Sequence, residues 1–142
     1  MLFRSVYRMP GNKPIFDGYY ATSTAGNNQI IKVDVPLIQV ATMTEVVAGA
    51  PNGSKYRRPD GDAPGDQFRL YEVAGMPHND SRENPTYQPD PCEMPVTQFY
   101  GPAYFALGLQ HLVQWTDKGV APPRASRIEM DGNAEKIGRA HV

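Results

Sequence analysis

Pro36-Leu37-Ile38-Gln39-Val40-Ala41-Thr42 is the stretch that decides the fold class. Leu37–Ala41 is nearly continuously apolar and rich in β-forming residues. A strand wetted on one face alternates apolar and polar residues, whereas a strand covered on both faces of a parallel sheet does not. Pro36 stands at the first position, where a strand tolerates a missing N–H. Leu37–Ala41 is therefore expected to be a buried strand of a parallel sheet, which points to the α/β class.

Working outward, residues 43–50 suit a short helix or turn. Residues 51–66 carry Pro51-Asn52-Gly53 and Arg58-Pro59-Asp60-Gly61, punctuation that marks a loop. Phe68-Arg69-Leu70-Tyr71-Glu72-Val73 alternates apolar and polar residues up to Ala74-Gly75 and is expected to be a second strand. Residues 6–29 are polar, with Phe16–Tyr20 as their only apolar cluster, and are expected to be loop, as is the proline-rich stretch 79–100. Pro102–Lys118 places Phe105, Leu109, Leu112 and Val113 on one helical stripe, with a proline near its start and Gly119 and Pro122-Pro123 after its end. Arg127–Met130 suits a last short strand.

Two strands and a helix do not close a core. Leu37, Ile38, Val40, Leu70 and Val73 need neighbours to be buried. The chain is therefore expected to be part of an α/β domain: two or three parallel strands, a C-terminal helix and long loops, incomplete as a domain.

The ends carry a separate signal. Met1-Leu2-Phe3-Arg4-Ser5 is what GTG CTC TTC CGA TCT encodes, with GTG read as a start. Ile137-Gly138-Arg139-Ala140-His141-Val142 is what ATC GGA AGA GCA CAC GTC encodes. The two DNA stretches are reverse complements over most of their length and match a common sequencing-library adapter. Residues 1–5 and 137–142 are expected to be adapter read-through, leaving 6–136 as one piece of a longer, metagenomic gene product. His141 then carries no weight, and His78 and His111 are the histidines to consider.

Composition bounds the partners. The 142 residues have a formal net charge of −1 and 20% charged residues, which gives no electrostatic reason to expect nucleic acid or an anionic membrane as partner. No apolar run approaches the ~20 residues of a spanning helix, and nothing at the given N-terminus reads as a secretion signal. The 14 prolines and 13 glycines fit a loop-rich chain. Cys92, the single cysteine, is expected to be a free thiol, with a partner elsewhere in a longer protein as the alternative.

Two residues sit where α/β sheets place their chemistry, just past the C-terminal ends of strands. His78 follows the second strand in Val73-Ala74-Gly75-Met76-Pro77-His78, and an imidazole exchanges protons near neutral pH. Glu45 follows the first strand in Ala41-Thr42-Met43-Thr44-Glu45. Taken singly, a solvated loop histidine and a helix-starting glutamate are the plainer readings. If the strands are parallel neighbours, the two emerge at one edge, and a carboxylate beside an imidazole fixes its tautomer and stabilises the imidazolium. Acid before histidine, each after a strand, is the chain order of an α/β-hydrolase, in which the serine comes earlier.

Here the residues resemble a family. VPLIQVATMTEVV (35–47), FRLYEVAGMPHND (68–80) and LGLQHLVQWTDKGVAPP (107–123), with FDGYY (16–20) before them, resemble in order and spacing the end of a large α/β-hydrolase-domain family related to esterases. The resemblance covers most of residues 14–130. It implies a serine hydrolase acting on an ester or related acyl bond, His78 as catalytic histidine and Glu45 as triad acid. No cofactor and no metal are expected. Members of the family place aspartate where this chain has Glu45; Asp60 is the fallback acid, its plainer reading being a turn residue.

G-x-S-x-G, the strand-to-helix elbow that presents a nucleophilic serine, does not occur in the sequence. Ser23, Ser54, Ser81 and Ser126 lie in polar contexts, and Cys92 lacks a helix N-terminus that would activate a thiolate. The chain by itself is expected not to hydrolyse anything. His111 is expected on the polar side of its helix and Trp115 in packing. Asp60, Asp62 and Asp66 lack the spacing to a terminal bidentate glutamate that a calcium loop needs. Glu72 is a candidate partner for an arginine. The rival classes are a small non-catalytic binding module and a pseudo-enzyme with the same fold.

Overall fold

The computed structural model describes residues 9–24, 30–49, 56–78 and 99–130. The terminal stretches 1–5 and 137–142, the segment 79–98, Cys92, Ser54 and Ser81 lie outside the described residues. The elements in chain order are β1 (Tyr19–Thr22), β2 (Leu37–Thr42), α1 (Met43–Gly49), β3 (Phe68–Val73) and α2 (Gly101–Lys118). The three strands form one parallel sheet in the order β1-β2-β3. The fold is α/β, consistent with part of an α/β-hydrolase.

β2 is the central strand and all of it is buried, which is what its unbroken apolar run requires. Its side chains alternate between two cores. Leu37 and Ala41 join Phe68, Leu70, Val46, Tyr56 and Ile30 on one face. Ile38 and Val40 join Leu112 and Trp115 of α2 on the other. Leu37, Ile38, Val40 and Leu70 are thus buried as their sequence demanded, while Val73 is half-buried at the strand end.

Sequence and structure differ in three places. β1 falls inside the stretch expected to be loop: Tyr19↔Leu37 to Thr22↔Val40 pair in parallel register, and this pairing across the chain holds four residues with no alternation of their own. α2 is rotated from its expected stripe. It buries Gly101, Gly108, Leu112 and Trp115, and leaves Leu109 and Val113 each 49% exposed. The reason is Gly108, where a Cβ would stand 2.5 Å from Tyr20 Oη and 3.0 Å from Val40 Cγ2. A residue without a side chain marks a close helix–sheet approach, and a hydrophobic pattern gives it no weight. Finally, Arg127–Met130 makes no strand of its own, with a single bridging residue at Met130. Ile128 lies beside β3 by side-chain bonds instead: its N–H donates to Glu72 Oε2 (2.9 Å) and its carbonyl accepts from Arg57 Nη2 (2.9 Å).

α2 ends as its sequence indicated. Gly119 is left-handed at φ 66°, and its N–H donates to the Trp115 carbonyl at 3.1 Å. Among the described residues no helix is long and apolar enough to cross a membrane.

Candidate functional site

Thr42 closes β2 and Met43 opens α1 at the C-terminal rim of the sheet. The string Thr42-Met43-Thr44-Glu45 has the Thr-x-x-Glu spacing of a helix capping box. Glu45 reaches back: its Oε2 accepts the Thr42 N–H at 2.7 Å and also the Thr42 hydroxyl. Its other oxygen, Oε1, faces His78 Nδ1. Glu45 is only 6% exposed. A carboxylate buried that far is tolerated because both its oxygens are bonded.

His78 arrives from the neighbouring strand. β2 and β3 pair in parallel from Leu37↔Phe68 to Thr42↔Val73, so both chains leave the sheet at the same edge. The chain then turns at Gly75, at φ +74°, a conformation glycine takes without strain. The two departing segments are stitched together. Met43 N–H donates to the Met76 carbonyl (2.9 Å), Gly75 N–H reaches Met43 Sδ (3.3 Å), and His78 N–H donates to Thr44 Oγ1 (3.1 Å). The His78 side chain is 49% exposed against 7% for that of Glu45. With Nδ1 turned to the buried carboxylate, Nε2 is the ring nitrogen left to meet a reacting group. A carboxylate beside Nδ1 favours the tautomer that carries its proton there, the arrangement a general base requires.

The structure brings Glu45 to His78 and takes Asp60 elsewhere. Asp60 Oδ1 accepts the Leu70 N–H at 3.2 Å and pairs with Arg127. Leu70 lies about 10 Å before the strand end at Val73, by the rise per residue of a strand. The other acidic residues near it are also paired: Asp62 with Arg69 and Arg124, Asp66 with Lys32 and Arg58. Hydrogen bonds from Arg69 and Arg124 hold the Asp62 carboxyl below its ordinary value, and that from Lys32 does the same for Asp66. Glu72 takes Arg57 in a two-point pair at 2.6 Å on each oxygen, together with the Tyr56 hydroxyl at 2.9 Å. Burial, aided by that carboxylate, pushes the Tyr56 phenol up.

Ser23 follows β1 on the same rim at φ 50°. It lies two strands from β3, roughly 10 Å by strand spacing, and no helix follows it among the described residues before β2. Ser126 is exposed after α2. His111, expected on the polar side of α2, is half-buried and stacks on Tyr71 with ring centroids 6.2 Å apart. With Val40, Val73, Ala74, Tyr104 and Leu107 it lines a cavity of about 390 Å³ that neither Glu45 nor His78 lines. Trp115 is 3% exposed and carries the Arg69 guanidinium over its ring at 4.9 Å, a packing role. Sequence inspection passed over Thr42 and Thr44; the Thr-x-x-Glu string was the available signal.

A family model described as alpha/beta hydrolase domain matches residues 4–141. The chain belongs to this family. The match includes residues 4–5 and 137–141 of the two terminal stretches expected to be adapter read-through. No curated protein and no solved structure matches it.

Proposed function

We propose that this chain supplies the acid and the histidine of a Ser-His-acid triad, and that a serine from outside its 142 residues supplies the nucleophile. On this reading residues 6–136 are the C-terminal part of a hydrolase domain that cleaves an ester or related acyl bond of a small molecule. His78 Nε2 takes the serine proton as the hydroxyl attacks the carbonyl carbon, then returns it to the leaving group. Glu45 holds Nδ1 and stabilises the imidazolium between those steps.

One observation carries the proposal. Adjacent parallel strands deliver a nearly buried carboxylate and a half-exposed imidazole to one rim, with Nδ1 against Oε1. The resemblance to esterase-like hydrolases and the order acid before histidine support the same roles. The absence of G-x-S-x-G from the sequence supports a nucleophile outside this chain and keeps the pseudo-enzyme reading as the competitor.

A fluorophosphonate that labels activated serines tests it. The 142-residue chain is expected to take no label and to leave p-nitrophenyl esters uncleaved. The longest natural chain containing this sequence is expected to take one label. His78→Ala is expected to abolish labelling, and Glu45→Gln to slow ester turnover by about 10⁴-fold, the scale seen when the histidine of a triad loses its orienting carboxylate. Labelling that survives His78→Ala contradicts the proposal, and a serine-bearing long chain that never labels identifies a pseudo-enzyme.

A further inference from the structure

Glu45 and His78 stand on segments that leave different strands, so something must hold the two segments in register. The side chain that does so is Thr44, the residue next to Glu45 on α1. Its Oγ1 accepts the main-chain N–H of His78 at 3.1 Å. This is a bond between the acid's own helix and the histidine's own backbone, across 34 positions of sequence. Among the described residues the two segments are also linked by the Met43 N–H to Met76 carbonyl bond and the Gly75 contact with Met43 Sδ, both on the approach to His78 rather than on it, and by the Glu45–His78 pair itself. Glu45, for its part, is clamped from behind by Thr42.

We propose that Thr44 is a positioning residue for the Glu45–His78 pair, an inference that rests on the function proposed above. By fixing the His78 backbone to the first turn of α1, it sets the distance over which the imidazole meets the carboxylate. Thr44 is itself exposed, so its hydroxyl can be removed without opening a core.

The test uses the isotopically labelled 142-residue chain and the exchange of the His78 Nδ1 proton with water, read by NMR. Thr44→Val removes the acceptor and keeps the shape; Thr44→Ala removes it without a β-branch. Both are expected to speed that exchange roughly twofold to tenfold, the range corresponding to one neutral hydrogen bond, while the amides of β2 exchange as in the parent. Thr44→Ser is expected to restore the slow rate. A parent-like Nδ1 exchange rate in both Val and Ala variants overturns the role of Thr44 and leaves the pair intact. So does acceleration that serine fails to reverse, or that β2 amides share. If the parent chain shows no Nδ1 proton, the Glu45–His78 pair itself is absent, and the proposed function falls with the inference.

Discussion

Glu45 meets two demands with one carboxylate. As the third residue of α1 it accepts from Thr42 through Oε2, and as a partner of His78 it uses Oε1. Both plain and functional readings of a glutamate at a helix start are thus satisfied by the same side chain. The extra methylene relative to aspartate has a local purpose here, since it lets the carboxylate curl back to the cap while still facing the neighbouring segment. Glu45→Gln keeps the shape and loses the charge. It is expected to lower the unfolding free energy by about 1–3 kcal/mol, the cost of weakening charge-assisted bonds to buried donors, measured by urea denaturation. Glu45→Asp is expected to cost a similar amount by giving up one set of partners. An unchanged urea midpoint in both variants contradicts this account. At this scale the sequence was informative: a residue just past a strand end is located by the strand itself, so Glu45 and His78 could be singled out. Thr42 left only the Thr-x-x-Glu spacing as its signal, and Thr44 left none, because its importance lies in a bond to the His78 N–H, 34 positions away, whose position only the fold sets.

β2 and β3 were legible because their burial is written into consecutive residues. α2 was legible in extent and misread in orientation, because its contact with the sheet is centred on a glycine. Gly108→Ala tests that placement. The added Cβ would meet Tyr20 Oη, which is itself held by a 2.6 Å bond to the Phe105 carbonyl, and Val40 in the central strand. Alanine gains about 1 kcal/mol of helix propensity over glycine, whereas overpacking costs about 1–3 kcal/mol. Net destabilisation is expected, seen as a lowered thermal midpoint; stabilisation would mean that α2 does not lie this close. β1 and the Arg127–Met130 segment were not legible. One is held by pairing with a strand 18 positions later, Tyr19↔Leu37, and the other by the buried Glu72–Arg57 pair. Neither leaves a local pattern.

Across the whole molecule, charge ties the loops to the sheet. Asp62 bridges buried Arg69 of β3 to Arg124 after α2, and Asp66 bridges Lys32 to Arg58. Both aspartates titrate lower in the folded chain than their ordinary 3.8. The stability they contribute is present above that value and is lost as pH falls through their lowered folded values. Urea midpoints are expected to drop on acidification below about pH 4, and Asp62→Asn to flatten part of that drop. At the alkaline end the sign reverses. Burial holds the Tyr20 phenol up to about 12 against an ordinary 10.0, so the unfolded chain releases its proton first and stability falls between those values. An acid limb unaffected by Asp62→Asn would show that the bridge contributes nothing.

All of this serves one arrangement, a carboxylate and an imidazole delivered to a shared rim by two adjacent parallel strands. The tautomer of His78 in its neutral form, read from the imidazole nitrogen resonances of the labelled chain, tests it most directly. With Nδ1 donating to Glu45, the proton is expected on Nδ1, and Glu45→Gln is expected to release that preference. A proton found on Nε2, or a tautomer indifferent to Glu45→Gln, would contradict the account.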